Sequence, residues 1–183
     1  LEKRALKNLI TKTVFSVAAD DTRPVLTGCL LEVNGDTIKT VALDGYRMAV
    51  YTEKIKDGTV SSSVVVPARS LNEIAKLLDD SEDQIDIYFQ DNFIMCDLNG
   101  CIITTRLLEG EFINYKQIIS PSFETNIKIN RRQLEGALER ASLLSKIGQN
   151  NLVQFDIQDS NLCITSRSEI GNIRENLNIL HEG

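Results

Sequence analysis

Three carboxylates, Asp20, Asp21 and Asp44, are the side chains best suited to metal-dependent chemistry, because acids in loop-like segments can hold a divalent cation for phosphoryl transfer. No geometry-fixing motif or nucleophile accompanies them, and the chain has one histidine, His181. An active site needs such a constellation. We therefore read the chain as non-enzymatic, with no metal and no cofactor. The four cysteines, Cys29, Cys96, Cys101 and Cys163, lie in strand-like apolar segments without a CxxC pair. Cys96 and Cys101 flank Asn99-Gly100, and a two-residue hairpin there would set both thiols on one sheet face, as a zinc pair or a disulfide requires. Without a second ligand pair, four reduced core thiols are the better reading.

Binding chemistry is offered instead by residues 40–50, TVALDGYRMAV. Asp44-Gly45 between two alternating runs is a hairpin signal, since glycine takes positive φ without a Cβ clash. Tyr46, Arg47 and Met48 would then open the next strand. A phenol, a guanidinium and a thioether at that point fit the floor of a peptide groove, and they equally fit an ordinary strand start.

The elements that position these groups follow from patterning. The chain has 183 residues, 42% hydrophobic and 25% charged, enough for one large domain or two small ones. No apolar run approaches the roughly 18 to 20 residues that span a bilayer, and Leu1 opens no signal peptide, so a soluble cytoplasmic protein is expected. The net charge of −6 disfavours a generic nucleic-acid binder. Its distribution is uneven, with acids gathered at Asp20-Asp21 and through Asp79, Asp80, Glu82, Asp83 and Asp86, and bases on the predicted helices.

Residues 3–18 place Leu6, Leu9, Ile10, Val14 and Val17 at helical spacing, with Arg4, Lys7 and Lys12 on the opposite side and no acid among them. That stripe reads as a solvated surface or as the face for an anionic partner. Pro24 pushes Arg23 out of the helical region. Strands are predicted over 26–33, 37–43 and 46–53, then 63–66. Pro67 suits the first turn of a helix whose apolar side is Leu71, Ile74, Leu77 and Leu78, with Arg69, Asn72, Glu73 and Lys76 outward. Three strands follow at 84–89, 93–98 and 101–107. Residues 109–120 read as a linker ending at Pro121. Beyond it the pattern restarts with a strand over 125–129. Asn130 and Gln133 form a capping-box arrangement for a helix over 131–145 with Leu134, Ala137, Leu138, Ala141 and Leu144 inward. Strands over 153–157, 162–166 and 173–179 complete the unit.

The organising fact is a repeat of strand, helix and three strands. LEKRAL, VPARSL and INRRQL align Leu6, Leu71 and Leu134, at separations of 71 − 6 = 65 and 134 − 71 = 63 residues, and align Arg4, Arg69 and Arg132 with them. A cation near a helix N-terminus opposes the macrodipole by about 0.3 to 1 kcal/mol. Something outside each helix is expected to compensate it, and a phosphate backbone is one candidate.

DDTRPVLTGCLLEV, TVALDGYRMAV, VVVPARSL, RLLEGEFINYKQII and LERASLLS, in this order, carry a resemblance to the bacterial sliding clamp family, the β subunit of DNA polymerase III. It covers essentially the whole chain, with residues 1–120 similar to the central domain, its first strand missing, and 121–183 to the first half of the third. The resemblance implies an α+β DNA-clamp fold with antiparallel sheets outside and helices on an inner, DNA-facing side. It implies a processivity factor whose full-length homodimer ring encircles duplex DNA and slides by non-specific contact with the phosphate backbone; this fragment is not expected to close a ring. The implied lining residues are Lys3, Arg4, Lys7, Lys12, Arg69, Lys76, Arg131 and Arg132. The family tethers the polymerase III catalytic subunit, the clamp loader and repair polymerases through short linear peptides held in a pocket. Matching positions here are Leu26, Leu43, Gly45, Tyr46, Arg47, Met48, Ile113, Gln117 and Ile118. Leu43, Tyr46, Met48, Ile113 and Gln117 depart from the commonest family pattern of Thr, His, Leu, Pro and Arg. The pocket stays apolar, while Gln117 removes a base that would select acidic peptides. The alternative is a stand-alone protein-interaction module that encircles no DNA.

Overall fold

Helix α1 (Lys3–Thr11) buries Leu6, Leu9 and Ile10 and turns its polar side outward, as its 3.6-residue period dictates. In the computed structural model, which describes residues 1–20, 22–55, 61–147 and 151–182, this helix is shorter than the 3–18 expected. Thr13 leaves the helical region and donates its buried hydroxyl to the Leu9 carbonyl at 2.6 Å, and the chain continues as a 3-10 turn, Val14–Ser16. Side-chain bonding of this kind offers the backbone an alternative to helix.

By compactness the chain divides into Leu1–Asn114 and Tyr115–Gly183. In the first unit, Pro24 starts a second 3-10 turn, Pro24–Thr27, so Leu26 is buried in a turn and β1 (Gly28–Asn34) begins beyond it. Proline's fixed φ suits such a turn. Strands β2 (Thr37–Leu43), β3 (Met48–Lys54) and β4 (Ser62–Pro67) form with β1 an antiparallel sheet in the order β3-β2-β1-β4. Pro67 is the N-cap of α2 (Ala68–Leu77), one residue before the first turn where it was expected. Leu71, Ile74 and Leu78 are buried, but Leu77 is 57% exposed. Leu78 is already extended, so the last two leucines do not share a helical face. A second antiparallel sheet holds β5 (Asp86–Phe89), β6 (Phe93–Asp97) and β7 (Ile102–Arg106). One core joins both helices to both sheets, through residues such as Leu9, Cys29, Val66, Ile74 and Cys96.

Leu1 and Glu2 run antiparallel to Gln84 and Ile85: the Leu1 amine donates to the Ile85 carbonyl at 3.0 Å and the Ile85 amide to the Leu1 carbonyl at 2.8 Å. These residues flank β5 as β4 flanks β1, which is the repeat expressed as strand pairing.

In the second unit, β8 (Asn126–Lys128) precedes α3 (Arg131–Ser145), where the Asn130 side-chain Oδ1 accepts from the Gln133 backbone amide at 3.2 Å. Ala137 and Ala141 are buried, while Leu134, Leu138 and Leu144 are half-buried. The alanines let α3 pack closely over β9 (Gln154–Gln158), β10 (Asn161–Ser168) and β11 (Gly171–Asn178), against Leu162 and Ile164. Arg140 on α3 donates to Glu175 on β11, its Nη2 lying 2.9 Å from Oε2. A short strand, β12 (Leu180–Glu182), pairs with β8 and was not expected. No described helix is long and apolar enough to cross a membrane.

Candidate functional site

The stretch 40–50 folds differently from an Asp-Gly two-residue turn. Leu43 pairs with Met48, leaving a four-residue loop of Asp44, Gly45, Tyr46 and Arg47, closed by the Asp44 amide donating to the Arg47 carbonyl. Gly45 sits at φ +92°, which disfavours any Cβ. Asp44 organises the loop. Its Oδ1 accepts from the Tyr46 amide at 3.0 Å and the Arg47 amide at 3.1 Å, and its Oδ2 from Arg47 Nε at 3.0 Å. These bonds, the two amides first, hold the Asp44 carboxyl below the usual carboxylate range. Arg47 also reaches the Phe15 ring, its guanidinium carbon 6.0 Å from the centroid. Tyr46, expected to open β3, instead stands fully exposed at the loop tip.

A lowered carboxyl pKa contributes order that is complete above the ordinary carboxylate value and is lost as pH falls through the folded value. On acidification, the Tyr46 and Arg47 amide resonances should therefore hold their positions until the pH is below about 4. Asp44→Asn keeps an oxygen for the amides but should abolish that titration step; an unchanged step in the variant would show that another group controls the loop.

Beside this loop lies an open cleft of about 640 Å³, lined by Ala18, Ala19, Asp20, Thr22, Arg23, Leu26, Asp44, Gly45, Tyr46 and Ile113. Four of the nine expected pocket residues line it: Leu26, Gly45, Tyr46 and Ile113. Leu43 is buried, Met48 is half-buried across from it, and Arg47 is folded onto Asp44. Gln117 and Ile118 are exposed residues of the second unit, in and just after a 3-10 turn, Tyr115–Gln117. Arg23 and Thr22 were not expected here. The available signal was Pro24, which keeps Arg23 out of the helical region, at φ −131° and ψ 89°.

Asp20 and Asp44 are occupied as loop organisers rather than gathered as ligands. Asp20 accepts from the Thr22 amide at 3.2 Å, and Asp21 lies outside the described residues. Among the described residues no group of three or more His, Cys, Asp or Glu is arranged to hold a metal. All four cysteines are free thiols; burial pushes Cys29 up to about 12 and Cys96 up to about 11. The Asn99-Gly100 turn forms with positive φ at both residues, and leaves Cys96 buried and Cys101 exposed.

The basic residues have unlike surroundings. Lys3 Nζ lies 3.1 Å from Asp83 and 3.5 Å from Asp79, Arg4 Nη2 3.2 Å from Glu82, and Lys7 Nζ 2.9 Å from Asp80. The stripe that carries no acid in its own sequence is thus met by acids from residues 79–83. Lys12 lies over the Tyr51 ring, 4.4 Å from its centroid, and donates to Tyr51 Oη at 3.2 Å. Lys76 pairs with Glu73 at 2.8 Å. Arg69, Arg131 and Arg132 are exposed and form no salt bridge among the described residues. Arg4, Arg69 and Arg132 are each the second residue of their helix.

The family model for the DNA polymerase III beta subunit, central domain, matches residues 1–114. The chain belongs to the DNA polymerase III beta subunit family. It is 32% identical over 179 residues to the beta sliding clamp of Staphylococcus epidermidis, covering 97% of this chain and 48% of that one. It superposes on the Bacillus subtilis DNA polymerase sliding clamp with a TM-score of 0.95 at 33% identity, covering all of this chain and 49% of the other. A Pseudomonas aeruginosa sliding clamp bound to griselimycin gives a TM-score of 0.91 at 26% identity, over all of this chain and 50% of that one. The chain spans about half the length of these relatives. The fold is thus that of the DNA clamp, built from antiparallel sheets with few helices.

Proposed function

We propose that these residues serve in a processivity factor for a replicative DNA polymerase, a clamp that holds duplex DNA without catalysing a reaction. Residues 1–120 act as the central domain and 121–183 as the first half of the third. Two ring-length subunits close around the duplex in the cytoplasm, helices inward and sheets outward. A sliding ring has to hold DNA without reading bases, so diffuse, salt-screened contacts from helix termini to phosphate suit it. The cleft beside residues 44–47 takes short peptides from the polymerase catalytic subunit, the clamp loader and repair polymerases, anchored through apolar side chains. Ligand binding by the griselimycin-bound relative supports a binding role for this fold.

Membership of the clamp family, with the fold matched over the whole chain, carries this reading. The test is topological. A ring-length protein containing these residues, once loaded, should stay on closed circular duplex and leave after linearisation. Equal retention on both forms would refute encirclement and favour a stand-alone interaction module.

A further inference from the structure

The three repeated helices start alike and are compensated differently. None has an acid in its first turn, and each has an arginine as second residue, where the macrodipole disfavours a cation. For α1 the compensation is internal. The Lys3 amide donates to the Asp83 carbonyl at 2.9 Å and the Arg4 amide to the Ser81 carbonyl at 3.1 Å, so residues 79–83 cap the helix backbone. The same segment pairs Lys3, Arg4 and Lys7. Ser81 N donates to Asp79 Oδ1 at 3.0 Å and fixes the segment's own shape. Three cations face the four carboxylates of Asp79, Asp80, Glu82 and Asp83, and Arg4 also lies 3.9 Å from Glu2, so the cluster is net negative. Arg69 and Arg132, at the equivalent positions of α2 and α3, form no ion pair among the described residues; Arg69 lies in the field of Glu73, which is itself paired with Lys76.

We propose that residues 79–83 are an intramolecular stand-in for DNA phosphates, holding Lys3, Arg4 and Lys7 out of the DNA interface and leaving Arg69 and Arg132 to carry it. The inference rests on the clamp reading and sharpens it, because recurrence alone gives all three helices the same role. Approach of a phosphate to Lys7 must separate it from Asp80 and leaves that carboxylate beside the phosphate, so no net counterion release accompanies the contact. Approach to Arg69 or Arg132 breaks no ion pair among the described residues, since Glu73 bears on Arg69 only through its field and is bonded to Lys76. Each exposed pair is worth only about 0 to 1 kcal/mol, but here three pairs are tied to the backbone bonds that cap α1, so the segment does not swing away freely.

The experiment uses the 183-residue chain at low salt, a fluorescein-labelled mixed-sequence duplex and fluorescence anisotropy over a salt series. Arg69→Ala and Arg132→Ala should each weaken binding several-fold and lower the log–log salt slope by about 1. Lys7→Ala should change affinity by less than about twofold, as expected for a cation whose charge is already met. Asp80→Asn should tighten binding, and in that background Lys7→Ala should become costly. Acetic anhydride labelling gives a readout free of DNA: Lys7 should be modified faster in Asp80→Asn than in the parent. Equal losses from Lys7→Ala and Arg69→Ala, or unchanged Lys7 labelling in Asp80→Asn, would overturn the stand-in while leaving the clamp reading intact. Failure of the parent chain to bind duplex at the lowest salt would count against the DNA contacts themselves, and this assignment would fall with them.

Discussion

Replacing Ile113 with aspartate is expected to weaken binding of a Leu- and Phe-anchored peptide by at least about tenfold, a loss of roughly 1.4 kcal/mol. Ile113 lines the cleft beside the 44–47 loop and is only half-buried, so its side chain is available to a ligand and not needed to fill the core. A carboxylate there would have to be desolvated against the peptide's apolar anchor without a partner, which is costly. Leu26 also lines the cleft but is 5% exposed, so changing it would confound binding with folding. Tyr46→Ala should do less, because a fully exposed ring contributes only where the ligand covers it. Isothermal titration of this chain with a synthetic peptide provides the measurement, with circular dichroism as the folding control. An affinity within twofold of the parent would show that the cleft is not the peptide site.

Much of the frame was legible because its signals are local. Asn130 and Gln133 announce α3, and the helix runs over Arg131–Ser145 as the spacing predicts. The Asn34-Gly35 turn and the apolar run after it mark β2, and the Asn-Gly dipeptide fixes the turn at residues 99 and 100. The errors came where two local rules compete. Pro24 favours a turn while the following run favours a strand, and the turn wins through Thr27. Asp44-Gly45 signals a two-residue turn, but Asp44 gains three hydrogen bonds by organising a four-residue loop, and that turns Tyr46 out of the strand. The pairing of α1 with residues 79–83 was out of reach for another reason. Lys3, Arg4 and Lys7 meet acids 80, 78 and 73 residues away, a separation that no periodicity records. The basic stripe and the acidic run were both plain in the sequence; that one answers the other is a property of the fold.

The candidate site was legible to the same degree. Leu26, Gly45, Tyr46 and Ile113 come together from three separate stretches, and only the family resemblance linked them. Arg23 shares the cleft but has no repeat partner or spacing to mark it. Charge placement was the less predictable half, because an arginine at the second position of a helix looks the same in all three repeats until its neighbours are known.

Gly28→Ala is expected to destabilise the first unit by about 1 to 3 kcal/mol, the range for overpacking a filled site. Gly28 opens β1, and its φ of −121° is one that any residue adopts, so the requirement for glycine is steric. A Cβ there would lie 2.6 Å from the Val66 carbonyl oxygen, 2.7 Å from Leu108 Cδ1 and 3.0 Å from Val65 Cγ1. The Leu108 methyl can turn away, but the Val66 carbonyl is backbone and moves only with its strand. Relief therefore requires β1 and β4 to part at the Gly28–Pro67 rung, two residues from Leu26 and hence close to the cleft. Gly35→Ala is the control: its Cβ meets nothing within 4 Å, and the cost comes from φ +58° alone, about 1 to 2 kcal/mol. Hydrogen exchange separates the two. Gly28→Ala should speed exchange at the β1 and β4 amides of residues 28–30 and 64–66 and weaken peptide binding with it. Gly35→Ala should act at the 34–37 turn and leave the cleft unchanged. If Gly28→Ala left exchange across β1 and β4 as slow as in the parent, the close approach of these strands would not be what glycine provides there.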